Sequence, residues 1–182
     1  MASAAPIGSR MGALVFGIMG TIWWLAASNG LNGGAMFAFL VAGIVAGITT
    51  TVITARGTRN DGPMNAPQVT RTYNLVNLTQ LVAIVVTVWA CVRAGRQELI
   101  APIVAAIVGV HFLPFRRLFQ WSGYGVVGGL FVLVALVGLA VALTTGEVQM
   151  SLLVTGVGAA LVLWGSAWAL RQAQSTRPSL RA

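Results

Sequence analysis

The chain holds a single histidine, His111, in a stretch with no other ionisable group between Leu99 and Phe115. An imidazole in such a setting can carry a proton, ligate a metal alongside partners, or trade hydrogen bonds. Most of the partners it would need are missing. One His and one Cys, with no acid inside an apolar run, cannot make a four-ligand zinc site or a bis-histidine haem, so neither metal nor cofactor is expected. Cys91 alone gives neither a disulfide framework nor a redox pair. Ser28, Ser122, Ser151 and Ser166 lack a Gly-x-Ser-x-Gly setting, no carboxylate is placed to orient His111, and no Gly-rich phosphate loop occurs. The reading is therefore not an enzyme.

The densest polar set lies just upstream. At 100° per residue, Asn77, Gln80, Thr87 and Cys91 fall within an arc of about 80°, with Asn74 near the entrance of the same segment. A very short connection over Gly95-Arg96-Gln97-Glu98 joins that segment to the one bearing His111, making the two antiparallel neighbours. Matching depths about a turn centred near Arg96 and Gln97 puts His111 level with Val82 and within a turn of Gln80. His111, Gln80, Asn77, Asn74 and Thr87 are thus the candidate polar intramembrane cluster. Two chemistries stay open for it. One is a buried hydrogen-bond network that docks two helices; the other is a solute or proton path in which His111 titrates.

The elements that must hold these residues follow from composition. Of 182 residues 57% are hydrophobic and 8% charged, and mean hydropathy is +0.86, so water is not the main solvent. Crossing about 30 Å of hydrocarbon takes roughly 20 apolar residues of helix. Six segments qualify, at about 11–28, 35–55, 75–94, 99–115, 124–144 and 150–170. The fold class is all-α, a polytopic transmembrane helix bundle forming one membrane domain over 1–182. A β-barrel is excluded because these runs are apolar on all sides rather than alternating. The first segment also has a secretory-signal layout, with Arg10 ahead of an apolar core and small residues at Ala26 to Ser28; it is read as a helix.

Charge orients the six spans, since arginine is retained on the cytoplasmic side. One side receives Arg10, Arg56, Arg59, Arg71, Arg116, Arg117, Arg171, Arg177 and Arg181, with Asp61 its only acid. The other receives Arg93 and Arg96 balanced by Glu98 and Glu147. Both termini are therefore expected in the cytoplasm. A pI near 11.8 would prompt a nucleic-acid hypothesis for a soluble chain. Scattered over short loops, these arginines instead read as topology signals that can meet anionic lipids, and no nucleic-acid partner is expected. Trp23, Trp24 and Trp89 are read as an outer aromatic belt, and Trp121, Trp164 and Trp168 as an inner one. The loop from Arg56 to Arg71, with its Asn60-Asp61-Gly62-Pro63 turn, is the one long enough to dock a partner.

Small residues recur four apart at Ala13/Gly17, Gly43/Gly47, Gly125/Gly129, Gly138/Ala142, Gly156/Ala160 and Gly165/Ala169. Such faces let helices approach closely, within one chain or between copies in a homo-oligomer. The run Val108-Gly-Val-His-Phe-Leu-Pro-Phe-Arg-Arg-Leu-Phe119 resembles a segment of small, uncharacterised bacterial six-span membrane proteins. That resemblance implies a multi-pass protein of a bacterial inner membrane and carries no activity with it. Two functional classes remain: a small-solute or proton-coupled permease or channel, and a non-transporting membrane subunit or lipid-binding or assembly factor. A polar tunnel reaching His111 would favour the first, a dry core with a Gly-lined outer face the second.

Overall fold

The computed structural model describes residues 10–57, 67–118 and 122–175, with the side chains of 67–69 and 117–118 left aside. Arg59, Asp61, the Asn60–Pro63 turn, Trp121, Arg177 and Arg181 lie outside the described residues, as does the side chain of Arg117. Six helices follow one another: α1 (Arg10–Ser28), α2 (Gly33–Gly57), α3 (Pro67–Arg93), α4 (Ile100–Leu118), α5 (Gly123–Thr145) and α6 (Val148–Ser175). A 3-10 turn, Gln97–Leu99, precedes α4. All six are long and apolar enough to cross a membrane, and no strand occurs among the described residues.

The helices outrun the apolar runs that predict them. α3 starts at Pro67 rather than near Leu75, and α6 continues past Leu170 to Ser175. Helical hydrogen bonds are internal to the segment, so a helix can carry on into water once lipid has forced it to form. Outward faces are mostly apolar: Phe37, Leu75, Trp89 and Val126 are each more than 60% exposed. Only lipid or another apolar surface makes that tolerable. The chain is a multi-pass membrane protein.

α6 is the central helix, packing against α1, α2, α4 and α5. α2 leans on α1 and α6, while α3 touches only α4 and the 3-10 turn among the described residues. Packing between α1 and α2 is reciprocal. Thr51 seats over Gly17 and Thr21 over Gly47, and each threonine returns its hydroxyl to its own helix, Thr21 Oγ1 to Gly17 O (2.9 Å) and Thr51 Oγ1 to Gly47 O (2.7 Å). Both hydroxyls are thereby satisfied without water, and both glycines are needed as seats. α4 and α5 meet backbone to backbone, since a methyl at Gly109 would lie 2.9 Å from Gly128 O and one at Gly128 2.7 Å from Gly109 O.

Two of the recurrent small residues seat nothing inside the chain. Gly129 and Gly165 are exposed and have nothing within 4 Å of where a side chain would start. The tryptophans also depart from the two-belt expectation. Trp24 and Trp164 stack on each other at 5.4 Å, so they share one depth within the bundle. Trp24 covers Gly43 and donates Nε1 to Phe39 O (2.8 Å), while Trp164 covers Gly20 and donates to Gly17 O (3.3 Å). Glycine seats take these indoles into the interior, and only then can their N–H groups be paired by backbone carbonyls.

Candidate functional site: the α3–α4 seam

The polar stripe on α3 faces α4. Tyr73, Asn77, Gln80, Ile84, Thr87 and Cys91, spaced alternately four and three residues apart, are half-buried or buried, whereas Asn74, Leu75, Leu78, Leu81 and Val82 are exposed. α4 is the helix that covers them. A heptad-like spacing keeps one face against a single antiparallel neighbour, and here the residues at that face are largely polar. Lipid thus receives most of the leucines and valines, and α4 receives the amides of Asn77 and Gln80.

His111 sits on α4 in this seam, half-buried, with its ring edge-on to Phe115 (4.6 Å between centroids) and Phe112 (5.6 Å). The backbone carbonyl of Val76 is the polar group of α3 that it meets. Its Nδ1 is shut away from solvent and has no hydrogen-bond partner. Close by, Tyr73 stacks on Phe115 at 5.4 Å. Both pairings put the hairpin's centre of reversal earlier than the sequence implies, and His111 is level with Val76 rather than Val82.

The cause is visible at the turn. Gly95 takes a φ of +67° and closes α3: Gly95 N donates to Val92 O (3.2 Å) and Arg96 N to Cys91 O (2.9 Å), the double bond pattern of a glycine-terminated helix. The chain therefore reverses at Ala94 and Gly95. Gln97–Leu99 already belongs to the returning strand of the hairpin, which slides α4 by more than a turn relative to α3.

Of the predicted cluster, the seam brings His111, Asn77 and Gln80 to similar depth, within about one helical turn of Val76. It does not bring the other two. Thr87 is eleven residues from Val76, about 16 Å along the axis, and Asn74 is exposed on another face. Nor are the three members bonded to one another. Asn77 Nδ2 donates to Tyr73 O of its own helix (2.9 Å), and no hydrogen bond joins Gln80 or Asn77 to His111 among the described residues. Chemically, the seam offers an unpaired imidazole nitrogen and two amides facing a helix that only α3 covers on that side. Among the described residues no group of three His, Cys, Asp or Glu side chains could hold a metal ion.

Two features around the site had readable but unread signals. Phe16, Phe112, Phe115, Tyr124 and Phe131 interlock with centroid separations from 5.8 to 6.5 Å and fill the space between α1, α4 and α5 behind His111. The spacing of Phe112 and Phe115 beside His111 marks that face as core. At the other end of α4, Pro102 lacks the N–H that would bond Glu98 O, and Ser151 of α6 supplies the donor instead (2.7 Å, buried). A proline in the first turn announces such an orphan carbonyl. Arg96 pairs with Glu98 and Arg93 lies over Trp89 at 5.9 Å, so the boundary charges of this hairpin end are taken up locally. A separate open groove of about 600 Å³ between α5 and α6 is lined by apolar residues such as Leu133, Val137, Leu153 and Val157, none of them in the seam.

No curated protein and no solved structure matches the chain. Residues 8–171 match the model of a family of unknown function (DUF7010), and the chain belongs to that family.

Proposed function

We propose that this protein is a non-transporting membrane subunit, a lipid-binding or assembly factor of a bacterial inner membrane, with both termini on the cytoplasmic side. The observation that carries this reading is the filled centre. Phe16, Phe112, Tyr124 and Phe131 occupy the space a path through the bundle would need, in mutual contact at 5.8 to 6.2 Å. A conduit has to be lined by groups that replace water, and aromatic edges do not. What the fold leaves accessible is of another kind: α3, held along a single seam, and the open glycines Gly129 and Gly165, against which a helix of a second copy or another subunit would fit. The nine arginines of the cytoplasmic side fix orientation and meet anionic headgroups. The reading includes no catalytic step.

A second reading has one observation in its favour. His111 Nδ1 is buried without a partner beside Asn77 and Gln80, an arrangement that a permeating solute or proton would complete. On that reading the path is the α3–α4 seam rather than the centre, and α3 must move to open it.

One experiment separates them. Purified protein in sealed vesicles is assayed for pH-driven proton flux and for uptake of small polar solutes, beside protein-free vesicles and the His111→Ala variant. Flux no greater than in protein-free vesicles is the expected result. Flux that appears with the wild type and disappears with His111→Ala overturns the first reading in favour of the seam.

A further inference from the structure

The ends of α1, α2 and α6 that carry arginine are packed into one corner. Gly12 of α1 lies against Leu170, with a side chain there 3.5 Å from Leu170 Cδ2, and Gly57 of α2 lies under the next residue, Arg171, where a side chain would come within 2.5 Å of Nε. Arg171 therefore crosses the last residue of α2, which has no side chain to block it. Its guanidinium carbon is 5.3 Å from the centre of the Trp168 ring. Arg10 opens α1 and Arg56 stands one residue before the end of α2, so both stand on helix ends that meet at this corner.

No carboxylate neutralises them among the described residues. The described acids, Glu98 and Glu147, are at the opposite end of the bundle, and Glu98 is already paired with Arg96. Above Trp168 the surface of α6 changes character. Leu161, Gly165 and Ala169 are exposed, and nothing lies within 4 Å of the missing Gly165 side chain. The result is a shallow apolar track that starts beneath a half-exposed indole and an arginine fork.

We infer that this corner binds an anionic phospholipid of the arginine-side leaflet, its phosphate on Arg171 and Arg56, its glycerol region at Trp168 and one acyl chain along the Gly165 track. Arginine forks match phosphate oxygens two at a time, and indoles settle at the headgroup boundary. The excess of positive charge on this side, nine arginines against Asp61 in the sequence, selects a net-negative headgroup over a zwitterionic one, whose cation it repels. The site gives the lipid-binding half of the proposed function a located ligand and rests on that half. A chain that bound no lipid here would still be free to act as a docking subunit, and the absence of transport is read independently by the flux experiment.

The test uses the full chain in detergent, with bound lipid counted by native mass spectrometry during titration with phosphatidylglycerol or phosphatidylcholine. Phosphatidylglycerol is expected to be retained at least about tenfold better. At about fivefold per arginine, the double variant Arg56→Gln/Arg171→Gln loses some 25-fold in retention. Arg71→Gln, which removes one charge at the start of α3 away from the corner, stays within about twofold, and millimolar inorganic phosphate leaves the bound lipid in place. Equal retention of the two lipids, an equal loss in Arg71→Gln, or displacement by free phosphate each overturns the site. If the double variant does not fold, Gly165→Phe fills the track at unchanged charge. Lost retention in that variant supports the site and unchanged retention overturns it.

Discussion

Ser151 and Thr155 stand one turn apart on α6, both fully buried, and their hydroxyls have opposite fates. Ser151 donates to the Glu98 carbonyl that Pro102 leaves unbonded, whereas Thr155 Oγ1 presses against Gly138 and has no hydrogen-bond partner. Removing the donor leaves a buried carbonyl unsatisfied, which costs about 1–3 kcal/mol. Ser151→Ala should therefore lower the unfolding midpoint in detergent. Thr155→Val replaces an unsatisfied hydroxyl with a methyl of similar size, and its midpoint should stay level or rise. A drop in Thr155→Val as large as that in Ser151→Ala would mean the Thr155 hydroxyl has a partner the structure lacks. At this same scale the candidate site was half legible. Angles around a helix follow from residue number alone, so Asn77 and Gln80 on one face of α3 were readable. Depth across a hairpin was not, because it depends on where the chain turns, and Gly95 turns it before Arg96 and Gln97.

Helices that look alike in composition differ in how they are held. α1 and α2 lock through two glycine seats and two threonines, α4 and α5 through facing backbones at Gly109 and Gly128, while Gly129 and Gly165 seat nothing. Gly109→Leu forces α4 from α5 and is expected to cost about 1–3 kcal/mol, read as a lowered midpoint of unfolding. Gly129→Leu meets open space and should change the stability of the monomer by less than about 0.5 kcal/mol. If Gly129→Leu instead splits a dimer on size exclusion, that face is the interface of a homo-oligomer. No sequence pattern distinguishes these glycines, since both sit in apolar helices at spacings that recur by chance in a chain with 22 of them. α3 is the least held of the six. Cys91 is its only residue more than nine-tenths buried among those whose side chains are described, and its seam leaves an imidazole nitrogen unpaired. Its backbone amides are expected to exchange faster in deuterated buffer than those of α6 at equal depth, because less packing must be undone to open them. Slower exchange in α3 than in α6 would show that another surface covers it.

For the molecule as a whole, up-and-down passage through the membrane puts Arg10, Arg56, Arg71, Arg116 and Arg171 at one end and Glu98 and Glu147 at the other. The charge asymmetry predicts which end is cytoplasmic. In a Cys91→Ala background, Gly146→Cys should react with a membrane-impermeant maleimide added to intact cells, and Arg56→Cys should react only after lysis. The reverse pattern would invert the orientation. Six spans, the end that bears the arginines and the polar face of α3 were determined by the sequence itself, because hydropathy, charge and helical angle are properties of residues taken in order. Helix register, the choice of which glycines are seats, and the closing of the centre by Phe16, Phe112, Tyr124 and Phe131 were decided only by tertiary structure. Each of those depends on a pair of surfaces meeting across space, and a shift of one turn at Gly95 is enough to change every partner along the α3–α4 seam.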